Sequence, residues 1–213
     1  MGNVLKQISD CIVNMEEDEI ESLIQRAVKS EIDLDSVYIQ GLKDGMVRAI
    51  ELFDKKIYHL PEVIVCADTL NKGLNLLKSF GDINKKSKGK IVFAVVKGDT
   101  HEIGKNIVKI MLEASGYEVI DLGVNVDSTV IIESAIKEEA QIIALSSMMT
   151  TTMIEMERVI KELSEKNIKY KPHVIVGGGC VSKKYAEEIL ADGYSENAPK
   201  AVKLVNRLIG GKK

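Results

Sequence analysis

Cysteine and histidine are scarce in this chain, three of each in 213 residues, and their placement excludes several kinds of chemistry. Cys11, Cys66 and Cys180 lie far apart and form no C-x-x-C pair. A disulfide framework does not fit that spacing, and reduced thiols of a cytosolic, cytoplasmic protein are expected. So little His and Cys supplies an all-protein zinc site poorly, and a metal held through histidine alone needs a cofactor for its other ligands. Cys180 follows a glycine run, but no base stands near it in sequence, so it reads as a bystander thiol rather than a nucleophile. No apolar run approaches the ~20 residues of a membrane span. Met1 leads into polar, helix-forming sequence instead of an apolar targeting segment, so no signal peptide is expected. The net charge of −3 argues against general nucleic-acid binding, which favours a concentrated basic face. Lys85, Lys86, Lys88 and Lys90 cluster among Ser, Gly and Asp and read as a solvated linker. Neither a G-x-G-x-x-G nor a Lys-Ser/Thr phosphate loop is found, so a dinucleotide or nucleoside triphosphate is poorly supported.

What is present supports a real core. Hydrophobic residues make up 45% of the chain, and its length suits one large or two small domains. From Asn3 to about Leu77 the periodicity is helical, as at Ile8, Ile12 and Val13 and again at Leu42, Met46, Ile50 and Leu52. Glu16, Glu17, Asp18 and Glu19 suit the first turn of a second helix. Asp33 or Asp35 can cap a third, and Pro61 suits the first turn of a fourth. A four-helix bundle is expected over residues 1–82, with the segment from Gly81 to Lys90 as a polar linker. From residue 90 to 213 strands and helices alternate. Strands are predicted at Ile91 to Val96, Glu118 to Leu122, Ile142 to Ser146 and Val174 to Val176, with a short one near Gly193. Helices between them begin near Gly104, Asp127, Thr151 and Ser182. The strand runs are continuously apolar, as in strands covered on both faces. The fold class is therefore α/β, with a five-stranded parallel sheet in flavodoxin-like order.

The stretch from Gly98 to Gly104, GDTHEIG, follows the run IVFAVV and opens the amphipathic helix KNIVKIMLEAS. That arrangement puts His101 at the carboxyl edge of the sheet, where open α/β folds bind ligands. Asp99 is placed to accept a hydrogen bond from one imidazole nitrogen and leave the other as a lone-pair donor, an orientation common in metal-ligating histidines. A loop histidine with no special task fits the local pattern equally well. The same edge carries Ser146-Ser147-Met148-Met149 with Thr150, Thr151 and Thr152 behind the third strand, and Gly177-Gly178-Gly179 behind the fourth. Glycines there let a bulky ligand approach the backbone, although a tight strand-to-helix turn is the simpler reading of that run alone. Hydroxyls beside them offer donors and acceptors.

Together these residues resemble the cobalamin-binding signature of methionine synthase and the corrinoid methyl-carrier proteins, D-x-H-x-x-G, then S-x-L, then G-G. Here it reads Asp99, His101 and Gly104, then Ser146 with Met148 at the leucine place, then Gly177 and Gly178. The helical half resembles the family's cap domain, with His59 where many relatives carry phenylalanine. The resemblance implies a cobalamin or related corrinoid bound base-off and His-on, with His101 as the cobalt ligand and Asp99 as its partner. Thr152 stands where the family's relay continues. It implies that Ser146 meets the nucleotide base, that Gly177 and Gly178 make room for its tail, and that Gly104 leaves space beside the corrin. The implied role is a methyl shuttle of one-carbon metabolism, a carrier subunit rather than a complete methyltransferase. The implied partners are a substrate-specific methyltransferase, with methylamine-type donors favoured by the MMTTTM stretch, an acceptor methyltransferase using coenzyme M or tetrahydrofolate, and a corrinoid-reducing activase. Competing readings are a mutase small subunit, a cobalamin-dependent regulator, and a flavodoxin-like interaction domain without cofactor.

Overall fold

The computed structural model of the chain describes residues 2–83, 87–168 and 170–210. The chain divides into two compact units, one made chiefly of residues 1–86 and one chiefly of residues 87–213. Of the lysine cluster, Lys85 and Lys86 lie outside the described residues. Lys90, expected at the end of the linker, is instead the first residue of a strand.

Four helical segments build the first unit. They are α1 (Gly2–Val13), α2 (Ile20–Lys29), a continuous run of α3 (Leu34–Ser36), a π-helical turn (Val37–Lys43) and α4 (Asp44–Asp54), and then α5 (Leu60–Ser79). Ile8, Ile12, Leu42 and Met46, whose helical spacing announced the bundle, are fully buried together with Ile20, Ile24 and Leu77, while Ile50 and Leu52 of the same pattern are partly buried. Asp33 caps α3 by accepting from Ser36 N at 2.8 Å, and Pro61 occupies the first turn of α5, where its missing N–H costs nothing. The acidic run is corrected: Glu16 to Glu19 fall in the turn before α2, and only Glu21 stands in that helix's first turn. A Cβ at Gly45 would lie 2.7 Å from the Ser9 carbonyl, so α1 and α4 approach backbone to backbone there. The Ser9 hydroxyl, buried in that contact, donates to Asp44 at 2.6 Å and accepts from Arg48 at 2.8 Å.

The second unit is a five-stranded parallel sheet in the order β2-β1-β3-β4-β5. Its elements are β1 (Lys90–Val95), α6 (Ile103–Ala114), β2 (Glu118–Asp121), α7 (Ser128–Lys137), β3 (Ile142–Ser146), α8 (Ile154–Glu165), β4 (His173–Gly177), α9 (Lys183–Glu188), β5 (Gly193–Ser195) and α10 (Ala198–Gly210). Val92, Ala94, Ile143, Leu145, Val174 and Val176 join one buried cluster with Ile131, Ile132, Met156, Val159 and Leu163 of α7 and α8. The alternate strand residues Ile91, Phe93, Val95, Ile142, Ala144 and Ile175 are buried too, which is why the strands read as unbroken apolar runs. Among the described residues no helix is long and apolar enough to cross a membrane.

Several boundaries differ from expectation for local reasons. Val96 falls just past the strand, where it donates to the Ser146 carbonyl at 3.2 Å and forms an isolated bridge with Val126. Helix α8 starts at Ile154 rather than near Thr151, because Thr152 turns its amide and hydroxyl back onto the Met149 carbonyl. Helix α10 was not anticipated. Its buried Ala198, Ala201, Val202 and Val205 carry the helical spacing that marks it. The register matters for function: Val95, Ser146, Gly177 and Ser195 pair in one row across β1, β3, β4 and β5. That row is the carboxyl edge: Ser146 and Gly177 stand in it, Asp99, His101, Met148, Thr152 and Gly178 lie in the loops beyond it, and Gly104 lies in the first turn of α6.

Candidate functional site

The site is built around a buried carboxylate. Asp99 is fully buried in the loop that follows β1. Its Oδ1 accepts from the His101 backbone N–H at 3.0 Å and lies 2.8 Å from His101 Nδ1. Its Oδ2 accepts from Met148 N at 2.7 Å and from the hydroxyls of Ser147 and Thr152, each at 3.2 Å. Burial by itself pushes the Asp99 pKa up. The amide N–H groups of His101 and Met148, the imidazole and the Ser147 hydroxyl outweigh that and hold the carboxyl well below the usual range. Asp99 is therefore ionised at neutral pH.

An ionised carboxylate only accepts, so His101 Nδ1 must carry the hydrogen, and in the neutral ring Nε2 keeps its lone pair. Nε2 has no partner among the described residues, and the His101 side chain is 54% exposed. The ring is thus held from behind with its donor nitrogen open to a ligand. The loop is fixed from the other side as well. Gly98 N donates to Asn125 Oδ1 at 2.7 Å, and Asn125 N donates to the Asp99 carbonyl at 2.9 Å. Lys97 pairs with Asp127 at 2.8 Å, and Asp127 caps α7 through Thr129 N.

The structure brings Asp99, His101, Met148 and Thr152 into direct hydrogen-bonded contact. Ser147, which the sequence did not single out, belongs with them. Its hydroxyl lies 2.8 Å from that of Thr152, and both are also in range of the Met149 carbonyl, at 3.1 and 3.0 Å. Each hydroxyl has one hydrogen, so the pair shares two hydrogens among Asp99, Met149 and each other. Ser146 takes no part in this network. It is buried at the edge row, and its hydroxyl has no partner among the described residues. Met148 is half-exposed, and its Sδ accepts from Gly179 N at 3.1 Å.

The glycines divide into two kinds. Gly178 has φ +123, and a Cβ there would lie 1.9 Å from the Ser147 carbonyl oxygen, so chain packing alone demands glycine. A Cβ at Gly177 would meet Ser195 O at 2.9 Å. Gly104 is different: a Cβ there would enter open space with nothing within 4 Å. No intramolecular contact requires that glycine. Beside it Ile103 is 77% exposed.

A ligand that suits this edge is large and partly apolar and brings a metal already mostly coordinated. It would use the open His101 nitrogen, the unfilled space at Gly104, the exposed Ile103 and Met148 surfaces, and the unpartnered Ser146 hydroxyl. Among the described residues no three His, Cys, Asp or Glu side chains gather to hold a metal on their own, and this donor set fits a tetrapyrrole-bound metal.

Comparison with known proteins agrees with that chemistry. Residues 89–203 match a family model described as a B12 binding domain, and residues 4–78 match a second model of the same description. A corrinoid protein of Desulfitobacterium hafniense is 38% identical over 98% of this chain and 98% of its own length. Dimethylamine corrinoid protein 2 of Methanosarcina acetivorans is 36% identical over 98% of this chain and 97% of its own. Among solved structures, a chain of the methanol:cobalamin methyltransferase complex from Methanosarcina barkeri superposes with a TM-score of 0.91 at 32% identity, covering 99% of this chain and 81% of that one. With an open histidine at the carboxyl edge of the sheet and whole-length likeness to these relatives, the chain belongs to the cobalamin-binding corrinoid proteins.

Proposed function

We propose that this protein is a methyl carrier that holds a corrinoid base-off, with His101 Nε2 as the atom that would ligate its cobalt. The observation that carries the reading is the 2.8 Å contact between His101 Nδ1 and the buried, ionised Asp99, which fixes the tautomer and leaves Nε2 free to ligate. A bound corrinoid supplies a cobalt that takes a methyl group from one partner and yields it to another. Asp99 keeps the proton on Nδ1 and draws it closer when the imidazole gains positive character, so the ring's hold on a metal is adjustable. Ser147 and Thr152 answer a change of charge on Asp99 by turning their hydrogens toward it or toward Met149. Ser146 is assigned to the nucleotide base, and Gly177 and Gly178 to the path of its tail. Gly104, Ile103 and Met148 border the ring.

The named systems of the relatives, methylamine and methanol, support a one-carbon donor delivered by a dedicated methyltransferase. We assign the second partner as a methyltransferase that passes the group to a thiol or folate acceptor, coenzyme M or tetrahydrofolate. A reductive activase would return oxidised cobalt to service. The chain then acts as a subunit of a methyltransferase and not alone.

The test is the visible spectrum of purified protein after incubation with hydroxocobalamin and desalting, beside His101→Ala and a cofactor-free control. Retained corrin bands that change with His101→Ala support His-on binding. A colourless, correctly folded wild type after reductant-assisted loading overturns the assignment.

A further inference from the structure

The turn after β2 holds both ends of the histidine loop. At the entrance its Asn125 takes Gly98 N and gives its own N–H to the Asp99 carbonyl. At the exit stands Lys105, the third residue of α6. It is 1% exposed, yet it carries an ammonium. Its Nζ donates to Asp121 Oδ1 and Oδ2, both at 2.7 Å, and to Asn106 Oδ1 at 2.7 Å, so all three hydrogens are used. Asp121, the last residue of β2, accepts in turn from Gly123 N at 2.9 Å and from Lys109 at 3.1 Å. Gly123 and Val126 tie the same turn to the end of β1 through Val95. One short turn, residues 121–126, thus grips the loop before Asp99 and the helix after His101.

A buried lysine is a poor choice for stability alone, since an apolar side chain of the same length fills the space without the cost of desolvating a charge. What the ammonium adds is direction: a fixed link between α6 and the turn that an apolar side chain does not make. We propose that Lys105 is a positioning residue for His101, acting through Asp121, and that Asn125 is its counterpart at the loop entrance. Together they set the span of the loop, so that the imidazole is ordered before any ligand arrives. This rests on the reading of His101 as the cobalt ligand.

The experiment compares wild type with Lys105→Met, Asn125→Gly and Val159→Ala. Lys105→Met leaves Asp121 with Lys109 and Gly123 N, so the carboxylate is not stranded. Asn125→Gly keeps the left-handed backbone at φ 55 and removes the side-chain acceptor, and Asn125→Ser beside it separates that loss from glycine's added backbone freedom. Val159, buried on the opposite side of α8 from solvent, serves as a control that destabilises without touching the loop. Two quantities are read: amide hydrogen exchange at His101 in the cofactor-free protein, and hydroxocobalamin retention with its visible spectrum. Lys105→Met, which removes two bonds to Asp121 and one to Asn106, and Asn125→Gly, which removes one to Gly98 N, are each expected to speed His101 exchange about tenfold or more. Exchange at Val92 and Ile143 stays as in wild type. The same variants should lose about tenfold in corrinoid affinity and shift toward the spectrum of His101→Ala. If both match Val159→Ala in exchange and spectrum, the positioning role is wrong. Should Lys105→Met fail to fold, Asn125→Gly carries the test. A wild type that binds no corrinoid overturns the methyl-carrier reading instead, and the exchange arm still decides whether the turn orders the loop.

Discussion

Replacing Asp99 by asparagine is the most discriminating perturbation of the apo protein, because the two residues have the same shape and differ in what their second atom does. Oδ1 faces two donors from His101, at 3.0 and 2.8 Å, and Oδ2 faces Met148 N at 2.7 Å with two hydroxyls behind it. The hydroxyls can rotate and the imidazole can exchange tautomers, but a backbone N–H can only donate. Whichever way the asparagine amide is turned, its NH2 opposes either the His101 or the Met148 N–H. One charge-assisted bond is lost, at about 1.5–3 kcal/mol, and one buried donor is left unpaired, at about 1–3 kcal/mol. We expect a loss of about 3 kcal/mol, or about 10 °C in Tm for a unit of this size. Urea and thermal unfolding of cofactor-free wild type and Asp99→Asn at pH 7 measure it, with an unchanged urea dependence showing that the same surface unfolds. A loss below about 1 kcal/mol would refute the idea that these backbone groups depend on an acceptor at both oxygens.

Gly104→Ala should leave stability within about 0.5 kcal/mol of wild type, since its Cβ meets open space near a helix start, yet weaken hydroxocobalamin binding; equal binding would remove the ring from that space. Gly178→Ala, by contrast, should cost more than about 3 kcal/mol from left-handed strain plus the collision with Ser147 O, read as a collapsed Tm or insoluble expression. Burial pushes the Cys11 thiol up to about 12 and the Cys66 thiol up to about 11, so a native thiol titration at pH 8 should label Cys180 alone, and rapid modification of all three would contradict the packing of the helical unit. Burial raises the Asp121 pKa, but Lys105, Gly123 N and Lys109 overcome it and the folded value lies below the ordinary one. Its contribution is therefore complete above the unfolded pKa of about 4 and fades as pH falls through the folded value. The stability gap between wild type and Asp121→Asn should be flat from pH 8 to about pH 5 and close below about pH 4; a gap that already narrows between pH 8 and 6 would assign it to another group.

Much of the sheet was legible because parallel strands buried on both faces leave unbroken apolar runs, as IVFAVV and IIAL do. The pairing of Asp99 with His101 was legible because the two sit two residues apart in one loop. Ser147 was not. A serine at the end of a strand and the serine after it point in opposite directions, and only the folded turn decides which hydroxyl meets a carboxylate from another loop. Lys105 did leave a trace, since it shares a helix face with Leu112, seven residues on, where an apolar residue would be expected. Its partner Asp121 could not be named without knowing that β2 lies beside β1. The π-helical turn at Val37–Lys43 shifts the apolar spacing over a single short stretch, too brief a change of phase to be read against the ordinary scatter of a helical pattern.

The contact between Gly178 and the Ser147 carbonyl has a consequence for anyone wishing to retarget such a scaffold. The turns after β3 and β4 meet backbone to backbone, so a segment that replaces the second must keep glycine at position 178 while Ser147 stays. The histidine loop and the turn after β2 are bound to one another in the same way by Asn125 and Lys105. Asp99, which accepts from Met148 N and from the Ser147 and Thr152 hydroxyls, joins these two pairs to each other, so for grafting the rim of this sheet is one block rather than four separate loops, and a chimera that divides it should be expected to misfold at the cut first.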